Sequence, residues 1–144
     1  PSNTTGYWRR RELSRETVHG EWLRLGDLLR EVELGVYRHV GRADARFKVD
    51  AKWVNPPEIE AALLGEPAVA EVAVVETQDA RGLSRVLAHL VAAAGHKPVD
   101  DAVLRRRVAA AAGIHAAPAR CIWHPELPRL PSGKLDRQAL SALD

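Results

Sequence analysis

VAEVAVVETQDARGLSRVLAHLVA, residues 69–92, decides the fold. Val69–Val75 is a run of β-branched and small apolar residues, and Ser84–Ala92 is a second. Asp79-Ala80-Arg81-Gly82 between them has the composition of a turn. Two core strands are therefore expected at the centre of the chain. Upstream, Asn55 can cap a helix, Pro56 suits its first position, and Glu58 follows three residues after the cap. Ile59, Ala62 and Leu63 then fall on one face, and Gly65 and Pro67 stop the helix. Downstream, Asp100 and Asp101 put negative charge at the start of a further helix. Val103, Leu104, Val108 and Ala111 form its apolar stripe, and Gly113 ends it. Ala119–Trp123 reads as a third core strand.

Farther out the pattern changes. Pro125–Lys134 is too rich in proline for helix or strand, and Asp136–Leu143 closes the chain as a short amphipathic helix. Phe47-Lys48-Val49 and Trp53-Val54 alternate as a small hairpin. Before it, Glu21–Asp27 and Val36–Val40 read as short strands, with a turn at Glu33-Leu34-Gly35. The fold class is α+β: a small three-stranded sheet with packed helices, preceded by a β-hairpin hinge region and a short β tail. A division near Gly41 separates residues 1–41 from residues 42–144.

Composition narrows the classes. Apolar residues make up 46% of the 144 and charged residues 28%, as in a globular chain with a core. No apolar run approaches the ~20 residues that span a bilayer, and no signal peptide opens the chain. The start, Pro1-Ser2-Asn3-Thr4-Thr5-Gly6, has no Met and reads as a fragment or a trimmed chain. A single cysteine, Cys121, excludes an internal disulfide and fits a reducing, cytoplasmic compartment. It reads as a small core residue rather than a nucleophile. The six histidines are scattered, with no pair at metal-ligand spacing on one helix, so no metal site is expected. The net charge is +2. The runs Arg9–Arg11 and Arg105–Arg107 lack interleaved aromatics and read as solvated faces, not as a nucleic-acid surface.

Chemistry concentrates late in the chain, in Leu127-Pro128-Arg129-Leu130-Pro131-Ser132-Gly133-Lys134-Leu135-Asp136-Arg137. Lys134 stands on a loop that Gly133 makes flexible, between prolines and a helix start. Its ammonium is a compact point charge suited to phosphate or carboxylate oxygens. On composition alone, an exposed turn lysine is the better reading. A P-loop is excluded, since Pro128 occupies the place of its first glycine. Gly41-Arg42-Ala43-Asp44 and Trp22-Leu23-Arg24-Leu25-Gly26-Asp27 each read, alone, as turns that carry an aspartate.

Taken in order, the three segments resemble the acyl-adenylate-forming (AMP-binding) superfamily, and in particular the C-terminal domain of benzoate–CoA-ligase-like acyl-CoA synthetases. Pro131–Arg137 is similar to the closing signature of that family, Gly41–Glu60 to its hinge motif, and Glu21–Asp27 to its ribose-binding motif. The resemblance implies that Lys134 bridges the substrate carboxylate and the α-phosphate of ATP. It implies that Asp27 and Arg42 contact the nucleotide ribose and that Asp44 is the hinge. The hairpin with Lys48, Ala51 and Trp53 would line the channel for the thiol. Leu25 stands where the family has a hydroxyl residue, Ala45 where it has a second acid, and Ala51 where it has glycine. Ala116 and Ala117 replace a segment that often carries lysine.

The implied protein is an acid–thiol ligase. A carboxylic acid and ATP, with Mg2+, give an acyl-adenylate, and CoA then takes the acyl group. Residues 1–41 would be the tail of a large N-terminal adenylation domain, and residues 42–144 a lid that swings between the half-reactions. The large domain would bind most of the ATP and CoA, so the isolated chain should not turn over. Two alternatives are a lid that loads a carrier-protein phosphopantetheine and a non-catalytic interaction module. Neither nucleic acid nor membrane is an expected partner.

Overall fold

The computed structural model describes residues 5–143. They form two compact units that part between Asp44 and Ala45. The pairing of the last front strand continues through Arg42 and carries the front unit past Gly41.

In the front unit, helix α1 (Arg11–Thr17) is followed by β1 (Val18–His19) and β2 (Trp22–Leu23), which pair antiparallel. Strands β3 (Asp27–Glu33) and β4 (Val36–Arg42) make a longer antiparallel hairpin. The strand expected over Glu21–Asp27 is thus corrected. Gly26 takes a left-handed φ of 75°, which ends the first extended stretch and starts the next at Asp27. Helix α1 has no counterpart among the sequence expectations, because RELSRET has one large apolar residue and buries nothing. Its serine and threonine bond back to carbonyls one turn earlier: Ser14 Oγ to Arg10 O at 2.9 Å and Thr17 Oγ1 to Leu13 O at 2.6 Å.

The second unit holds the core. Strands β5 (Phe47–Val49) and β6 (Lys52–Val54) form a hairpin, and α2 (Pro56–Leu64) follows. The main sheet has the order β7 (Val69–Gln78), β8 (Ser84–Ala92), β9 (Arg120–His124). β7 and β8 are antiparallel across a tight turn in which Asp79 Oδ1 accepts from the backbone N–H of Arg81 and Leu83. Those two bonds hold the Asp79 carboxyl below the usual carboxylate range. β8 and β9 are parallel, so the chain must cross over, and α3 (Asp101–Ala112) makes the crossing. Asp100 caps α3, accepting from Ala102 N at 2.6 Å. Asn55, by contrast, makes no side-chain cap on α2; its carbonyl receives Glu58 N and Ile59 N instead.

Both faces of the sheet are covered, which explains why β7 and β8 read as continuous apolar runs. Val72, Val74, Val86, Ala88 and Leu90 pack with Ile59, Leu63, Leu104 and Val108 on one side. Ala73, Val75 and Leu87 pack with Leu127 and Leu140 on the other. Leu140 lies on α4 (Arg137–Ser141), which is shorter than the Asp136–Leu143 expected. Of the stripe assigned to α3, Leu104 and Val108 are buried while Ala111 is exposed. Leu104 is 0% exposed. Leu104→Ala should therefore cost about 2–5 kcal/mol of unfolding free energy, read from the urea midpoint at unchanged slope.

β7 is an edge strand, and side chains close its free edge. Glu60 on α2 accepts from Val74 N at 2.9 Å, and Arg137 Nη1 donates to Val74 O at 2.8 Å. Arg137 Nη2 and Glu60 Oε1 then pair at 2.8 Å, so one ion pair satisfies both backbone groups of Val74.

Candidate functional site

Lys134 sits in a tight hairpin, not in a loose loop. Leu130 N bonds Lys134 O at 2.8 Å, and Gly133 N bonds Leu130 O at 2.8 Å. Arg129 and Leu135 form an antiparallel bridge outside this turn. Gly133 has φ 81°, the left-handed conformation that closes a three-residue hairpin loop. The flexibility expected from Gly133 is corrected, because its freedom is spent on fixing the turn. The Lys134 side chain is exposed and makes no ion pair among the described residues. A free ammonium on a rigid turn can meet oxygen anions brought to it.

The β5–β6 hairpin carries three more of the implied residues. Lys48 and Trp53 are cross-strand partners. Lys48 Nζ lies 4.8 Å from the Trp53 ring centre and Arg46 Cζ 5.0 Å, so two cations stack on one indole. Trp53 is nonetheless 56% exposed. Asp50 and Ala51 form the turn with φ 49° and 62°. Such a two-residue turn prefers Asp-Gly, and alanine there is strained. Ala51→Gly should raise the unfolding free energy by about 0.5–1 kcal/mol, the relief of strain less the entropy of glycine, with a higher denaturant midpoint as the readout.

The remaining implied residues belong to the front unit. The β3–β4 register sets Asp27 opposite Arg42. Arg42 grips Asp44 with both arms of its fork, Nε to Oδ1 and Nη2 to Oδ2, each at 2.9 Å. That grip holds the Asp44 carboxyl below the usual carboxylate range and raises the Arg42 guanidinium in turn. Arg42 Nη1 also reaches Leu25 O at 3.4 Å and Asp27 Oδ1 at 3.5 Å. His39 Nε2 approaches the same Asp27 oxygen at 3.5 Å, an unforeseen member of the cluster. Asp27 and Arg42 both remain reachable from solvent, with side chains 33% and 51% exposed.

Other groups are accounted for without chemistry. Burial pushes the Cys121 thiol up to about 12, which leaves it protonated and a poor nucleophile. The parallel pairing of β8 and β9 brings His89 and His124 together, Nδ1 to Nε2 at 2.8 Å. Among the described residues, no three or more His, Cys, Asp or Glu gather as metal ligands. Within the arginine run of α3, Arg105 bonds Pro118 O and Arg107 pairs with Glu66. No helix of the described residues is long and apolar enough to cross a membrane.

The small three-stranded sheet with packed helices agrees with what the chain resembles. A family model, the AMP-binding enzyme C-terminal domain, matches residues 58–134, and the chain belongs to that family. The 4-hydroxybenzoate–CoA/benzoate–CoA ligase of Rhodopseudomonas palustris is 38% identical over 143 residues, covering 96% of this chain and 26% of the ligase. A linear gramicidin synthase of Brevibacillus parabrevis is 37% identical over 147 residues, covering 96% of this chain and 2% of the synthase polypeptide. Among solved structures, an amide bond synthetase from Marinactinospora thermotolerans matches with a TM-score of 0.86 and 31% identity, over 96% of this chain and 28% of that one. The chain therefore spans about a quarter of the length of the benzoate ligase it matches.

Proposed function

We propose that the chain is the rear part of an ATP-dependent acid–thiol ligase, which activates an aryl or acyl carboxylate as its adenylate and passes the acyl group to CoA. Residues 1–41 would be the tail of a large adenylation domain and residues 42–144 its mobile lid. Lys134 carries the proposal: a cation without an ion pair among the described residues, on a rigid turn, in the family whose reaction gathers a carboxylate and a phosphate. Its charge would neutralise the oxygens that approach as the carboxylate attacks the α-phosphate and pyrophosphate leaves. Asp27 and Arg42 would hold the ribose, the first as acceptor and the second as donor. The pantetheine arm would pass the hairpin at Lys48, Ala51 and Trp53. Mg2+ would be held with ATP by the large domain. The protein would work in the cytoplasm.

The front unit supports its role as a piece of something larger. Leu29, Val32, Leu34, Val36 and Tyr37 on the β3–β4 hairpin are all exposed. Apolar side chains in that number on a short hairpin need a covering surface, and the large domain would supply it.

Similarity to a gramicidin synthase favours a second reading, in which the acceptor is a carrier-protein phosphopantetheine. Supplying the full-length protein with ATP, benzoate and either CoA or a carrier protein bearing a free phosphopantetheine thiol separates the two. Thioester on CoA alone supports the first reading; thioester on the carrier alone replaces it. For the isolated chain, weak or no ATP binding is expected, since only Asp27, Arg42 and Lys134 of the nucleotide shell are present. Micromolar affinity by calorimetric titration of this chain would contradict the division of labour.

A further inference from the structure

The turn that presents Lys134 is fastened to the sheet by a side chain that the proposed chemistry does not use. Arg129 Nη1 donates to the carbonyl of Gly133 at 3.1 Å, and Arg129 Nη2 bonds Glu71 Oε2 on β7. The Gly133 carbonyl belongs to the peptide whose nitrogen is that of Lys134. Arg129 therefore grips the peptide plane from which the lysine departs and anchors it to a strand of the main sheet. On the other side of Lys134, Arg137 is tied to the same strand through Val74 O and to Glu60. Both ends of the turn are thus fixed to β7.

The Arg129–Glu71 pair is not placed to support the fold. Its side chains are 47% and 44% exposed, and ion pairs at such exposure contribute little to global stability. What the pair does constrain is local. A bridging ammonium has to be held within about 0.5 Å of its working position, and the lysine stem is flexible, so the precision has to come from the backbone below it. Gly133 alone cannot supply that precision, since its left-handed backbone makes a turn without fixing where the turn points.

We propose that Arg129 is a positioning residue for Lys134, holding the Gly133–Lys134 peptide against Glu71 while the carboxylate is adenylated. The proposal rests on the adenylation role given to Lys134 above. The test is a double-mutant cycle in the full-length protein, read by ATP–pyrophosphate exchange, with thioester formation from pre-made acyl-adenylate as the check that each variant folds. Arg129→Ala is expected to slow exchange about tenfold, through a lower kcat, with little change in the melting temperature. Glu71→Gln should shift it the same way by less, because the amide oxygen still accepts from Arg129. Combined with Lys134→Ala, Arg129→Ala should add nothing, since a positioning residue has nothing left to position. Unchanged exchange in Arg129→Ala, or a loss that multiplies with that of Lys134→Ala, overturns the proposal. If Lys134→Ala itself leaves exchange intact, the role of Lys134 fails first and the positioning role falls with it. A Lys134 effect beside an indifferent Arg129 overturns the positioning role alone.

Discussion

Lys134→Ala in the full-length protein is expected to lower ATP–pyrophosphate exchange by on the order of 10²–10³, the loss seen when one preorganised transition-state contact is removed. The effect should be that large because the turn that carries the ammonium is already formed. It stands exposed on a turn closed by two backbone hydrogen bonds, and no carboxylate of the described residues pairs with it. A cation presented on a preformed turn acts where negative charge accumulates between carboxylate and phosphate. The second half-reaction needs no such bridge, so thioester formation from pre-made acyl-adenylate should survive. Stability should hold within about 0.5 kcal/mol, because an exposed side chain without an ion pair supports little else. Equal loss of both half-reactions would point to a folding or docking defect and remove Lys134 from adenylation. No loss in either would do the same.

Much of the second unit is legible in the sequence because its physics is local or strongly patterned. The middles of β7 and β8, Val72–Val75 and Val86–Leu90, are buried on both faces, and apart from His89 they are apolar, as strands so placed tend to be. The Asp79–Gly82 turn and the Asp100 cap depend on side chains that bond their own neighbourhood, so a few residues suffice to read them. The front unit is less legible for the converse reason. β3 and β4 bury almost nothing within this chain, so no alternation marks them, and one left-handed glycine, Gly26, sets the strand start at Asp27. Helix α1 has no apolar stripe to announce it.

The site divides in the same way. Lys134, Arg42 and Asp44 stand in motifs whose order can be read along the chain. Arg129–Glu71 spans 58 positions and His39–Asp27 depends on the register of a hairpin, so both pairs exist only once the strands are laid side by side. The register itself holds a missed signal. Pairing outward from Glu33-Leu34-Gly35 brings Asp27 opposite Arg42, which unites two motifs that look independent in the sequence.

Asp44→Pro in the full-length protein should freeze one orientation of the lid while leaving both compact units folded. Asp44 lies in a 3₁₀ turn, Ala43–Ala45, where one unit ends and the next begins. A rotation between domains has to be absorbed by a few backbone dihedrals at the ends of elements, and we propose this turn as that place. Proline fixes φ near roughly −65°, which a 3₁₀ turn already uses at Asp44, while it pushes Ala43, in the same turn, away from the helical region. With the hinge proposed at Asp44, the other orientation would take different dihedrals at Asp44 or at Ala43, both of which proline restricts. One half-reaction should therefore proceed while the other collapses. If the trapped state is the adenylating one, pyrophosphate exchange continues and overall thioester synthesis is lost; the reverse pattern marks the other state. Asp44→Ala separates backbone from side chain. It removes the two-armed grip of Arg42, but both partners are exposed and the pair adds little stability, so this variant should be the milder of the two. An Asp44→Pro protein that ran both half-reactions at normal rates would remove the hinge from Asp44, and with it the main reason to treat the second unit as a swinging lid. An Asp44→Ala protein as impaired as Asp44→Pro would instead place the effect in the Arg42 ion pair, and the hinge would have to be sought in the neighbouring peptides.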